Sequence, residues 1–205
     1  MGTYKQGILG PFSGKVGQVV GSFWRGVAYM RSLAPNIHNP QTTAQMEVRG
    51  KFAVTSRTLS PFLVPVRAGF HPRSGNSEWG EAVSLNMPLV TTEVGTGAYV
   101  LPLPAILLTN GAAGFDIDVV KNREGGYDAT WTPVDGDSTL DGGQVYCVAY
   151  NAANNMAETF RSEMSAGSLT FSAAGITIGT GDDFHIYAFA SSKTDSSATH
   201  HYTFE

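Results

Sequence analysis

From about residue 95 onward, the chain consists of short segments in which apolar and polar residues alternate, separated by turns rich in glycine, aspartate and asparagine. The alternation is clearest at 115–119 (FDIDV), 127–131 (YDATW) and 185–190 (HIYAFA). A period of two places successive side chains on opposite faces of a strand. Strands at this spacing predict an antiparallel β-sandwich. The predicted strands lie near 98–101, 105–109, 115–120, 127–132, 143–150, 157–162, 168–172, 184–191 and 198–204.

Two aromatic segments within this region resemble fibronectin-type or immunoglobulin-like domains. Trp131 ends one predicted strand, and the next contains Tyr146 and Tyr150. The disulfide of antibody domains is absent, because Cys147 is the only cysteine of the chain. A cysteine inside such an apolar strand is expected to be buried and chemically inert.

The first 33 residues are dense in glycine and predict a β-hairpin. Its strands lie at about 16–24 and 27–33, and Arg25-Gly26 forms the tip, where glycine accepts the positive φ of a tight turn. Glycine this frequent in strands marks bulges or places where another backbone approaches closely. The hairpin has no obvious core of its own, so we expect it to complete a sheet elsewhere, which could belong to another subunit.

A proline-bounded connector then leads into a predicted helix of about 41–59. Thr42–Gln45 (TTAQ) matches a capping box. The predicted apolar stripe holds Ala44, Val48, Phe52, Thr55 and Leu59. A shorter helix is predicted near 77–85, with acidic residues in its first turn. We therefore predict a hairpin-and-helix module at 1–94, followed by the sandwich at 95–205.

Charge is distributed very unevenly along the chain. Residues 1–73 hold nine Lys and Arg but only one carboxylate, Glu47, giving a net charge of +8. The remaining residues hold four Lys and Arg against sixteen carboxylates, a net charge of −12. Asymmetry of this kind indicates a charged partner. That partner is either nucleic acid or the acidic part of a neighbouring copy.

Six residues of the basic module are the candidates for this contact: Lys15, Trp24, Arg25, Arg31, Arg49 and Arg57. In self-assembly, the basic module of one copy would dock on the acidic sandwich of the next, and contacts of that type build rings or filaments. In nucleic-acid binding, the cations would neutralise phosphates and the aromatic side chains would stack on bases. Exposed strand edges favour assembly.

The N-terminal motifs resemble a family of uncharacterised proteins from Bacteroidota and their phages. These motifs are the run 10–21 (GPFSGKVGQVVG), the triplet 24–26 (WRG), the pair 31–32 (RS), and the segment 39–45 (NPQTTAQ) with Arg49 and Phe52. In that family, this module precedes a variable β-sandwich. The resemblance implies a role in a virion or its assembly, and it implies no catalytic residues.

No arrangement of residues indicates catalysis, a metal or a cofactor. The stretch 10–15 lacks the P-loop spacing. The stretch 135–141 lacks the final glutamate of a calcium loop. His200 and His201 are adjacent and should point to opposite faces of a strand. His38, His71 and His185 are dispersed along the chain. We therefore predict that the protein is not an enzyme, needs no cofactor and has no small-molecule substrate.

Together these features predict a mainly β structural subunit of a virion or filamentous assembly, a homo-oligomer or a partner of other assembly proteins. Nucleic-acid association is the alternative. A carbohydrate- or surface-binding module ranks last, because its aromatic residues Tyr127, Trp131 and Tyr202 are more typical of a core. The sequence lacks an apolar signal peptide and a membrane span, so we expect cytoplasmic synthesis and a place in an assembled particle.

Overall fold

The computed structural model describes residues 2–3, 12–24, 26–35, 39–72, 75–123, 125–133, 138–140, 142–173, 175–176 and 184–204. Strands make up 40% and helices 27%, so the fold is mainly β, as predicted. Contacts between residues group the chain into two compact units, Met1–Thr42 and Thr43–Glu205.

The first unit is a four-stranded antiparallel sheet in the order β1-β4-β3-β2. Its strands are β1 (Gly2–Thr3), β2 (Gly14–Val16), β3 (Val19–Trp24) and β4 (Val27–Ser32). Trp24 pairs with Val27, so the predicted hairpin is confirmed with a two-residue tip. Gly26 has a φ of +78°, which explains the need for glycine there. The other tip residue, Arg25, lies outside the described residues.

The second unit begins with three helices: α1 (Thr43–Leu59), α2 (Leu63–Gly69) and α3 (Glu78–Asn86). Both predicted helices are therefore confirmed. Ser77 caps α3, since its Oγ accepts a hydrogen bond from the Gly80 backbone N–H at 3.1 Å. A short hairpin of β5 (Thr91–Thr92) and β6 (Tyr99–Val100) follows.

Seven antiparallel strands then form two sheets. Their bounds are β7 (Phe115–Lys121), β8 (Tyr127–Pro133), β9 (Gln144–Asn151), β10 (Met156–Glu163), β11 (Ser168–Phe171), β12 (Phe184–Ser191) and β13 (His200–Phe204). One sheet has the order β11-β8-β7, and the other has the order β10-β9-β12-β13. Eight of the nine strands predicted from residue 95 onward, including the one that contains β6, are confirmed to within two residues at each end. Apolar and polar residues alternate along most of them.

Two apolar cores cover opposite faces of the sheet β10-β9-β12-β13. One lies between the sheets and includes Trp131, Cys147 and Ile186. The other lies between this sheet and the helices and includes Phe62 and Phe189. Strand β12 contributes to both cores, and all eight of its residues are buried. A strand covered on both faces carries apolar side chains at successive positions.

The helices thus share a core with β9 and β12 inside the second unit. Phe62 illustrates the contact: its ring lies 4.9 Å from Tyr150 and 5.3 Å from Tyr187 between centroids. The domain boundary predicted between residues 94 and 95 stays a prediction. The two compact units of the structure meet between residues 42 and 43 of the sequence.

The segment predicted as a strand near 105–109 is not a strand, and this prediction was wrong. Its backbone groups pair with side chains rather than with another strand. The Leu107 N–H donates to Asn86 Oδ1 at 2.8 Å, and Asn86 Nδ2 donates to Leu107 O at 2.9 Å. The Leu108 N–H donates to Thr199 Oγ1 at 3.0 Å. These contacts satisfy buried backbone groups without a sheet ladder.

The shared helix–sheet core predicts a strong contrast between two phenylalanines. Replacing the fully buried Phe62 with alanine (Phe62→Ala) should lower the free energy of unfolding by about 3–5 kcal/mol, since it opens a cavity between two tyrosine rings. Phe52 on α1 is 52% exposed, and Phe52→Ala in the dilute protein should change stability by about 0.5 kcal/mol or less. Urea denaturation followed by circular dichroism measures both; equal losses would contradict this fold.

Candidate assembly interface

One face of the N-terminal sheet carries cations and aromatic side chains together. Side chains that pair directly across antiparallel strands point to the same face. Lys15 pairs with Val20, which also pairs with Arg31, so the three form one row across β2, β3 and β4. Ser22–Tyr29 and Trp24–Val27 form the next rows on that face. We call this set the basic face: Lys15, Val20, Ser22, Trp24, Val27, Tyr29 and Arg31.

The N-terminal sheet is exposed on both faces. Lys15 and Arg31 are exposed, and Trp24 and Val27 are 59% and 50% exposed. On the opposite face, Val16 is 66% and Phe23 is 49% exposed. Among the described residues from 12 to 42, only a glycine, at position 21, is buried. The sheet therefore lacks a core within the residues that the structure describes.

The burial of Gly21 comes from a close approach of the preceding segment. A Cβ placed at Gly21 would lie 2.4 Å from the Phe12 carbonyl oxygen and 2.6 Å from the Phe12 ring. Gly21 pairs with Met30, so Phe12 covers the face opposite the basic face. The expectation that glycines mark close backbone approach is confirmed at this position.

The six predicted contact residues belong to different elements of the chain. Lys15, Trp24 and Arg31 share the basic face. Arg49 and Arg57 are exposed on α1, which belongs to the second unit. Arg25 lies outside the described residues. Glu47, the single carboxylate of the first 73 residues, forms an ion pair with Lys51 at 2.7 Å, and its carboxylate raises the pKa of that lysine.

Two of the five residues of the predicted apolar stripe on α1 are buried. Thr55 and Leu59 are buried at its C-terminal end, whereas Ala44, Val48 and Phe52 are exposed. Val48 is 55% exposed. The periodicity correctly predicts which side of the helix is apolar, but it does not predict which part of the helix packs against the core.

A second extended surface, which the sequence analysis did not single out, lies on the outer side of the three-stranded sheet. Asp116 pairs with Thr132, Asp118 with Thr130, and Val120 with Asp128. The β11 residues Ser168 and Thr170 continue two of these rows. We call this set the acidic face: Asp116, Asp118, Val120, Asp128, Thr130, Thr132, Ser168 and Thr170. Asp116, Asp118 and Val120 are exposed.

The two ends of the acidic face differ in charge, with two carboxylates at one end and one at the other. Asp116 and Asp118 lie at one end, next to the partly buried Tyr202. Burial, and secondarily these two carboxylates, raise the pKa of Tyr202 to about 12. At the other end lies Val120, beside Asp128, whose Oδ1 accepts a hydrogen bond from Thr170 Oγ1 at 2.8 Å. The alternation in 115–119 predicts outward aspartates, but only the strand order shows which residues stand beside them.

The comparison with protein families covers both the N-terminal sheet and the second unit. The sequence matches the family of unknown function DUF6266 over residues 11–202. The chain belongs to this family. The expectation of an uncharacterised family is thereby confirmed, whereas the link to Bacteroidota and phages stays a prediction. Neither the curated proteins nor the solved structures contain a significant match.

Within the DUF6266 region, a polar cleft of about 330 Å³ is lined by His71, Pro72, Asn110, Lys193, Thr194 and Asp195. His71 Nε2 lies 3.1 Å from the buried Ser191 Oγ, which donates to Ala68 O at 2.6 Å. The hydroxyl proton is therefore directed at a carbonyl, and His71 serves as its donor rather than its base. Activating a nucleophile needs the opposite arrangement. These contacts join the end of α2 to β12.

A histidine pair lies on strands β12 and β13, and the sequence did not predict it. His185 Nδ1 lies 2.8 Å from His201 Nε2, and the two rings stack at 5.0 Å. Because His185 and His201 come from neighbouring strands, their sequence separation hides the contact. His200 instead faces Phe115, with ring centroids 6.3 Å apart. The predicted opposite orientation of His200 and His201 is confirmed.

Other predicted features can be placed directly. Cys147 is buried, and burial raises its pKa to about 12, as expected for an inert thiol. Tyr127 and Trp131 are 2% and 4% exposed, so the aromatic residues behind the carbohydrate-binding alternative belong to the core. Within the stretch 135–141, which lacks the final glutamate of a calcium loop, residues 135–137 and 141 lie outside the described residues. His38 also lies outside them.

Within the described residues, no three or more His, Cys, Asp or Glu side chains are placed to hold a metal ion. Of the helices that the structure describes, none is both long and apolar enough to cross a membrane.

The histidine pair predicts a pH-dependent stability. Burial, and secondarily the neighbouring His185, lower the pKa of His201 from its ordinary 6.5. The folded protein therefore resists a proton that the unfolded chain takes up, and the free energy of unfolding should fall as pH drops below about 6.5. In thermal denaturation, His201→Gln should lose less stability than the wild type between about pH 7.5 and 5.5. His200→Gln is the control and should lose as much stability as the wild type over this pH range. An identical loss of stability in all three proteins would show that His201 does not cause the pH dependence.

Proposed function

We propose that this protein is a structural subunit of a particle or filament, which assembles through repeated contacts between its basic N-terminal sheet and acidic surfaces of neighbouring copies. A virion is the particle that the N-terminal motif resemblance favours, and the assembled particle is then its location. The protein acts by binding other subunits and not by catalysis.

The observation that carries this proposal is the absence of a core in the described part of the N-terminal sheet. Small sheets need a covered apolar face to be stable in water. Full burial of one large apolar side chain contributes about 1.5–3 kcal/mol. Val16, Val19, Phe23, Trp24 and Val27 are each 41–66% exposed, so covering them would add on the order of 1 kcal/mol per residue.

Nucleic-acid binding is the second candidate, and the basic face supports it. Lys15 and Arg31 could neutralise phosphates, while Trp24 and Tyr29 on the same face could stack on bases of a single strand. Assembly is favoured because Val16, Val19 and Phe23 expose apolar surface on the opposite face as well. A phosphate backbone cannot bury these apolar side chains, whereas the apolar part of a protein surface can.

We also propose that residues 115–204 form a fibronectin- or immunoglobulin-like sandwich that is displayed by the assembly. Support comes from the arrangement of three strands, β11-β8-β7, and four strands, β10-β9-β12-β13, around a common core. Trp131 lies in that core, where its Nε1–H donates to Met164 O at 2.9 Å. Domains of this architecture hold their two sheets together by packing, with or without a disulfide.

Light scattering of the full-length protein tests the assembly proposal. At about 20 mM salt, we expect a molar mass well above that of one chain, because opposite charges attract over a Debye length of about 20 Å or more. At about 1 M salt, screening should shift the equilibrium toward smaller species. The double variant Lys15→Glu with Arg31→Glu should raise the apparent Kd by about 100-fold or more, since like charges then meet.

A matched control is the double variant Arg67→Glu with Lys193→Glu. It makes the same change in net charge at exposed positions outside the basic face, and it should assemble like the wild type. A monomer at both salt concentrations would refute the proposal. Unchanged assembly of the basic-face variant, together with lost binding of a single-stranded oligonucleotide, would favour the nucleic-acid alternative.

A further inference from the structure

We infer that the basic face binds the acidic face of a second copy of this chain, an inference that rests on the proposed function and names the two surfaces that meet. Each face lies on a different unit of the chain. The contact is therefore heterologous: every copy offers one basic face and one acidic face, and the contact can repeat from copy to copy.

Charge is the first argument for this pairing. Lys15 and Arg31 are exposed on the basic face, which has no carboxylate. The acidic face holds Asp116, Asp118 and Asp128 and has no Lys or Arg. A foreign partner would have to bring its own carboxylates, whereas a second copy already presents them on an ordered sheet. Complementary charges of this kind guide the encounter of two surfaces and fix their register.

The spacing of charged and apolar residues is the second argument. On the basic face, Lys15 and Arg31 lie in one row with Val20. Val20 comes four residues before Trp24 on the same strand, β3. On the acidic face, Asp116 lies four residues before Val120 on β7. Four residues of strand span about 13–14 Å on either face. The cations can thus meet Asp116 and Asp118 while Trp24 and Val27 meet Val120.

Other charges select this orientation over the reverse one. Lys121 and Arg123 surround a depression together with Asp128 and Thr170, near the Val120 end of the acidic face. In the reverse orientation, Lys15 and Arg31 would meet the single carboxylate of Asp128 and would approach these two cations. In the proposed orientation, the cations of the basic face lie at the far end, and the uncharged Trp24–Val27 row faces Lys121 and Arg123. An aromatic ring is also a favourable neighbour for a cation.

The side chains of the acidic face suit the packing of one sheet on another. Its four hydroxyl residues are Thr130, Thr132, Ser168 and Thr170, whose short side chains do not extend far from the sheet. Packed sheets lie about 10 Å apart, a distance that the long side chains of Lys15, Arg31 and Trp24 can fill. Two depressions, beside Thr132 and beside Thr170, provide room for them.

A charge swap in the full-length protein tests this inference. Variant A carries Lys15→Glu and Arg31→Glu, so both its faces are negative. Variant B carries Asp116→Lys and Asp118→Lys, so both its faces are positive. Each variant alone should be monomeric in light scattering at low salt, with the apparent Kd raised by about 100-fold or more. An equimolar mixture should recover wild-type assembly, because every contact again joins opposite charges.

Controls and contrary outcomes separate this inference from the function on which it rests. Circular dichroism must show that A and B keep the wild-type melting transition. Variant A that also carries Glu163→Lys, a change at an exposed position on β10, should stay monomeric, because the added cation lies outside the acidic face. If the wild type assembles but A plus B does not, the acidic face is not the partner surface and the proposed function stands. If the wild type is monomeric, both fail. If B assembles alone, the inference is refuted.

Discussion

Removal of apolar surface from water organises the second unit around one strand. All eight residues of β12 are buried, with Ile186 facing the core between the sheets and Phe189 facing the core under the helices. This double burial links the helices and both sheets into one cooperative structure. The N-terminal sheet obeys the same requirement differently, because its described residues expose apolar side chains on both faces. Assembly would cover apolar side chains that the described residues of a single chain leave exposed.

The electrostatics of the chain then gives this apolar contact a direction. A sheet with exposed valines and aromatics could bind many surfaces, including wrong ones. The row of Lys15 and Arg31 at one end of the basic face, and Asp116 with Asp118 at one end of the acidic face, restricts which surfaces fit and in which orientation. Charges of this kind contribute mainly specificity and rate of association, while burial of Trp24 and its neighbours contributes affinity.

Much of the fold could be predicted from the sequence because its signals are local. Alternation predicted strands such as β7 and β8, and a capping pattern predicted the start of α1. What depends on distant partners could not be predicted. The segment at 105–109 is pinned by Asn86 and Thr199 rather than by a strand. The stripe on α1 runs the length of the helix, yet only Thr55 and Leu59 of its five residues are buried.

The candidate interface shows the same division. Composition predicted a basic contact region, and Lys15, Trp24 and Arg31 do share a face, because the register of β2, β3 and β4 aligns them. Arg49 and Arg57 lie on α1 instead, since sequence proximity does not determine which unit a residue joins. The acidic face was missed, because its aspartates and threonines come from three strands. The same reason hid the contact between His185 and His201.

Hydrogen exchange at two protein concentrations tests most directly whether a neighbouring copy covers the N-terminal sheet. The account predicts that the amides of 14–24 and 26–32 are protected in concentrated protein and exchange faster on dilution, as the uncovered sheet opens. The amides of β12 provide the internal reference, with protection independent of concentration. Protection of 14–32 that does not change with dilution would show that the sheet is stable by itself, and would contradict the account.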